Sequence, residues 1–92
     1  MSIFEQIVIR IIKEQELIIG PLAWIEASKV PSLGVHEQGV ISIDSSNKQE
    51  VIDALVAQYE RLFGRASHEV CKHAVAGLIV DLKDSEVPSS LK

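Results

Sequence analysis

Residues 68–73, HEVCKH, gather two histidines and a cysteine within six positions. On a helix His68 and Cys71, three apart, share a face, and Glu69 and His73 lie within the same turn. Imidazole and thiolate both bind zinc, but a structural zinc takes four ligands, usually delivered as spaced pairs from two segments. No second pair exists, since His36 is the only other histidine and Cys71 the only cysteine. His68, Cys71 and His73 are therefore an incomplete ligand set, which only a site shared across a symmetric dimer would close. No metal or cofactor is expected. A Cys–His nucleophile is the other chemistry such a cluster offers. Cys71, however, falls on an apolar stripe with Val70, Ala74 and Val75, where burial raises a thiol's pKa and dulls it. No catalytic residue is assigned, and the expectation is a protein that is not an enzyme.

Two further chemistries can be weighed from residue types. The chain has thirteen Asp and Glu, among which Glu14, Glu16, Glu60 and Glu69 become paired acids only if two glycine corners meet in space; otherwise they lie on a solvated face. Arg61, Arg65, His68, Lys72 and His73 are the contacts that a helix-turn-helix-like unit at 51–80 would offer a major groove. The glycines at 20, 34, 39, 64 and 77 are scattered, and no phosphate-cradling G-x-x-x-x-G-K-[ST] loop occurs.

The net charge of −4 and the pI near 5.2 argue against a sequence-blind hold on nucleic acid. A single cysteine excludes an internal disulfide and makes a reducing, cytoplasmic setting the default. Twelve Ile, ten Val and eight Leu in 92 residues, against 4% aromatics, demand an aliphatic core. That apolar content is too high for disorder. The greasiest run, IFEQIVIRIIKEQELII, is interrupted by Glu5, Arg10, Lys13, Glu14 and Glu16, so it reads as a helix of a soluble domain and neither a membrane span nor a signal peptide.

The elements that must position these residues follow from periodicity. Ile3, Phe4, Ile7, Val8, Ile11, Ile12, Ile18 and Ile19 repeat at helical spacing and cover about half of the helix circumference, more than the usual stripe. Ile9 and Leu17 fall outside even that arc. Gly20 permits a positive φ, and Pro21 suits the first turn of a second helix running to about Lys29, stopped by Pro31. GVISID alternates like a strand, and LGV can pair with it across a turn at HEQG. A lone hairpin is marginal in water and must lean on helices or pair with another chain. Ser46 with Gln49, or Asn47 with Glu50, then caps a third helix with Val51, Ile52, Leu55, Val56, Tyr59, Leu62 and Phe63 on its stripe. Gly64 ends it. A fourth helix starts at Arg65 and presents Val70, Cys71, Ala74, Val75, Leu78, Ile79 and Leu82 on one face. Residues 1–82 form one globular domain, and 83–92, KDSEVPSSLK, read as a flexible C-terminal tail.

The two corners align at an offset of 44: Ile7 with Val51, Val8 with Ile52, Ile11 with Leu55, Ile12 with Val56, Gly20 with Gly64. Past the glycine, a one-residue gap sets Ala23 on Ala66, Glu26 on Glu69 and Lys29 on Lys72. Either the halves are copies, or two amphipathic helices ending in glycine align this way by pattern alone.

The expected fold is mainly α: two helix–glycine corner–helix units joined by a short strand or β-hairpin, a small α or α+β domain. The expected function is a non-enzymatic protein–protein interaction or regulatory module acting as a homodimer with a further protein partner. Its contact surface would hold Ile3, Phe4, Ile7, Ile9, Val40, Ile41 and Ile43. Trp24 joins them as an interface anchor, unless it is a half-buried aromatic that locks the second helix. The alternatives are a DNA-binding regulator using 51–80 and a metal- or small-ligand-sensing domain using His68, Cys71 and His73.

Overall fold

The first helix, α1 (Ile3–Ile19), starts from a reciprocal cap that the sequence reading passed over. Ser2 Oγ accepts from Glu5 N (3.2 Å) while Glu5 accepts from Ser2 N (3.1 Å). Hydrogen bonds from Ser2, backbone first, hold the Glu5 carboxyl below its usual range. The computed structural model describes residues 2–37, 40–44 and 46–92.

At Gly20 the chain turns with φ 69° and ψ −154°, and Pro21 leads into α2 (Leu22–Ala27). This second helix is shorter than its pattern suggests, because the turn before Pro31 already closes at Val30, whose N–H bonds Ala27 O (3.1 Å). Strands β1 (Leu33–Glu37) and β2 (Val40–Ile43) then pair antiparallel within the chain as a hairpin. The expected turn residues Gln38 and Gly39 lie outside the described residues. Register sets Leu33 opposite Ile43 and Val35 opposite Ile41, so one face of the ribbon is apolar. That face rests on α1 and α2, which is the support a two-stranded ribbon needs.

Asn47, rather than Ser46, caps α3 (Lys48–Phe63), its side chain accepting from Glu50 N (3.2 Å). Gly64, at φ 89° and ψ −179°, turns the chain into α4 (Arg65–Ile79). The fold is thus mainly helical with one small hairpin, as the patterning predicts.

The buried positions show how the halves relate. In α1 they are Ile7, Val8, Ile11, Ile12 and Gln15; in α3 they are Val51, Ile52, Leu55, Val56 and Tyr59. Every pair is 44 apart. The corners match as closely: Gly20 N bonds Glu16 O (2.9 Å) and Gly64 N bonds Glu60 O (2.8 Å), while Ala23 N bonds Gly20 O (3.0 Å) and Ser67 N bonds Gly64 O (3.1 Å). Ala23 and Ser67 are both buried, as are Ala27 and Cys71. The equivalence therefore runs through the glycine without a gap, and the alignment of Ala23 with Ala66 is corrected. The copy ends where Pro31 stands at the position of Val75.

The terminal decapeptide departs from the expected tail. It forms two 3₁₀ turns, Asp84–Glu86 and Ser89–Leu91, laid along the body with Leu91 2% exposed and Pro88 buried. Its polar residues are spent on specific partners: Ser89 and Ser90 on Asp53, and the Ser85 carbonyl on Gln49. Composition alone could not show that one leucine among ten polar-rich residues would find an apolar seat.

Candidate functional site

The HEVCKH cluster is taken apart by α4. Cys71 points inward, fully buried, with Sγ 3.4 Å from the Gln15 amide nitrogen. His68 turns towards α3 and the C-terminal segment, its Nδ1 3.1 Å from a Glu60 oxygen and its Nε2 2.5 Å from the Ser90 carbonyl. His73 is exposed on the outer face. The three side chains do not converge, and among the described residues no group of three His, Cys, Asp or Glu is placed to hold a metal ion. Burial pushes the Cys71 thiol up to about 11, against the opposing pull of the Gln15 hydrogen bond. At neutral pH almost no thiolate is available for attack. Native protein should therefore react with a thiol reagent at least a hundredfold more slowly than unfolded protein. Equal rates in buffer and in denaturant would reverse that assignment of Cys71 to the core.

Two buried polar side chains stitch the halves together in a pattern hidden from residue types. Gln15 on α1 donates to the Ser67 carbonyl of α4 at 3.0 Å, and Tyr59 on α3 donates to the Ala23 carbonyl of α2 at 2.6 Å. Adding 44 to Gln15 gives Tyr59, and subtracting 44 from Ser67 gives Ala23. Each long helix thus holds the first turn of the other unit's second helix, as a pseudo-twofold requires. Among the described residues, Gln15 Oε1 and the Trp24 indole N–H are buried without a hydrogen-bond partner. Beside this seam lies Glu26, the one buried acid among the described residues. It accepts from Lys29 (3.0 Å) and Gln58 (2.8 Å), and these bonds, Lys29 first, hold its carboxyl below the usual range. Gln58 in turn accepts from Arg61. Nothing in the sequence marks Glu26, because an acid three residues before a lysine reads as a solvated pair.

The expected contact surface is redistributed. Ile7, Trp24 and Ile41 lie in the chain's own core, at 0%, 6% and 9% exposure, and cannot anchor a partner. The physical reason is the second unit: α4 and the hairpin cover the side of α1 that a lone amphipathic helix would leave open. Ile3, Phe4, Ile9 and Ile43 are half-buried against the same core, and only Val40 of the set stands exposed. The exposed large apolar side chains instead crowd the corners: Leu17, Ile18, Leu22 and Ile25 around Gly20, Leu62 and Phe63 before Gly64. Leu17, at 80% exposure, was readable from its place off the stripe. Ile18 was not, because it lies on it.

Of the four acids weighed as pairs, Glu14 and Glu69 share a groove between α1 and α4, with Arg10, Leu17, Ile18, Val70, His73 and Ala74. Glu60 is taken by His68. The outward face of α4 presents Glu69, His73 and Ala76, with the half-buried Lys72 beside them; Arg61 and Arg65 are exposed at the corner. Among the described residues no helix is long and apolar enough to cross a membrane. Set against models of protein families, curated proteins and solved structures, the chain finds no match in any of the three.

Proposed function

We propose that this domain is a non-enzymatic protein–protein interaction module that works as a homodimer, with the first corner at the centre of its contact surface. The observation that carries this reading is the cluster of Leu17, Ile18, Leu22 and Ile25, all exposed and all within residues 17–25. Single exposed apolar residues are ordinary, but a concentration of them marks an interaction surface. Around Leu17 and Ile18 the groove carries both signs of charge, Arg10 with Glu14 and Glu69, and His73 lies beside them. Among the described residues none of these four has a hydrogen-bond or ion-pair partner. A surface with both signs can complement itself about a twofold axis, and twofold dimers are the commonest soluble oligomers. A reducing, cytoplasmic setting accords with a single buried thiol.

Sedimentation at tens of micromolar tests the reading. The wild-type chain should run as a dimer, and Leu17→Glu combined with Ile18→Glu should yield a monomer of unchanged thermal stability, since both side chains are exposed. A wild-type monomer, or a dimer indifferent to that double substitution, overturns it.

A further inference from the structure

We infer that residues 84–92 form a strap clasped onto α3 and α4 by the doubly protonated form of His68, and that loss of the ring proton loosens it. His68 faces two oxygen atoms, one from α3 and one from the strap. Nδ1 lies 3.1 Å from Glu60 Oε1 and Nε2 lies 2.5 Å from the Ser90 carbonyl oxygen. A carboxylate and a backbone carbonyl only accept. Neutral imidazole has one N–H and one lone pair, so it satisfies one of these oxygens and turns a lone pair on the other. The imidazolium donates to both, and each bond gains from its charge.

The remaining attachments fix where this clasp acts. Asp53 of α3 accepts from Ser90 N (3.0 Å), from Ser90 Oγ (2.5 Å) and from Ser89 Oγ (3.1 Å). Gln49 donates to the Ser85 carbonyl (2.9 Å) at the strap's other end. Leu91, one residue beyond the histidine contact, is buried in the core cluster. Ser90 is thus gripped from α3 by an anion and from α4 by a ring that can donate to Ser90 and to Glu60 together only when it is charged. The charged groups around His68 are Glu60 and, one step along the strap, Asp53 from α3. Arg65 and Lys72 stand about one turn either side on α4 itself. The strap brings Asp84 and Lys92, which pair with one another at 3.7 Å, and α1 brings the neutral Gln15 to this end of α4. Of these groups only the His68 ring joins a proton that can leave near neutral pH to the hold on Ser90.

Amide hydrogen exchange on the full chain tests this at about pH 5 and about pH 8, an interval in which histidine changes charge and carboxylates do not. After correction for intrinsic rates, protection of residues 84–92 should fall roughly tenfold between the two conditions, about the worth of one charge-assisted hydrogen bond. Amides of α1 and α3 should keep theirs. In His68→Gln the difference should vanish, which separates this ring from His36 and His73. A second reading needs no substitution: ¹⁵N NMR of the wild-type His68 ring should show both nitrogens protonated wherever the strap is protected, with proton and protection lost over one pH interval. Equal protection at both pH values in the wild type, a pH effect that persists in His68→Gln, or ring deprotonation without loosening would each overturn the proposal.

Discussion

Gly64→Ala is expected to lower stability by about 1–3 kcal/mol, and Gly20→Ala by a similar amount. Both glycines sit at positive φ with ψ near ±180°: 69° and −154° for Gly20, 89° and −179° for Gly64. That region is closed to residues with a Cβ, more firmly than the left-handed helical region that asparagine can visit. At neither position would an added Cβ meet another atom within 4 Å, so the loss is purely one of backbone conformation and repacking cannot relieve it. Gly77 provides an internal control. It lies in the last turns of α4, also with open space around it, and there Gly→Ala should stabilise by up to about 1 kcal/mol. Urea midpoints at unchanged m value measure all three. The corner geometry is wrong if the three substitutions shift the midpoint in the same direction.

Tyr59→Phe should cost about 1–2 kcal/mol, although it removes a single oxygen atom. The hydroxyl donates at 2.6 Å to the Ala23 carbonyl, and both residues are fully buried. Phenylalanine fills the same space but leaves that acceptor lone pair dry. Desolvation by burial, the first cause, pushes the Tyr59 hydroxyl well above the usual tyrosine range, with nearby Cys71 and Glu26 adding to it. A folded pKa raised above the unfolded one contributes stability that is complete below the unfolded value, near 10, and is lost as pH rises beyond it. The wild-type chain should therefore weaken in alkali more steeply than Tyr59→Phe, and the two denaturation curves should converge as the pH climbs past about 10. Parallel curves would show that the hydroxyl is not buried in its un-ionised form.

These two predictions differ in how far sequence could have reached them. The corners were open to reading because Gly20 and Gly64 interrupt helical patterns that resume at once, and backbone freedom is a property of the residue itself. The buried positions of α1 and α3 were open for the same reason, since a stripe is local. The Tyr59–Ala23 and Gln15–Ser67 bonds join residues 36 and 52 apart. Their existence depends on which helices meet, and no periodicity encodes that. The offset of 44 held half of this information, but a pairing rule was needed to see that Gln15 and Tyr59 play one role. The expected contact surface was misplaced by the same gap. Ile7 and Ile41 are apolar in any reading, and only the packing of the second unit against the first decides that they face inward while Ile18 faces out. Glu26 and the strap show the converse case, polar residues whose partners come from distant segments.

The crosswise pairing of the units also sets an order of events during synthesis. Gln15 waits for Ser67 and Cys71, the latter 56 residues downstream. At roughly 5–20 residues per second, that is a delay of about 3–11 s. Throughout it the isoleucine-rich first helix has been made and its covering partner has not. Its own unit offers only the six residues of α2 for shelter. The nascent chain is thus most prone to aggregate before its second half exists, and a chaperone that recognises short aliphatic segments would find its best target between residues 3 and 19.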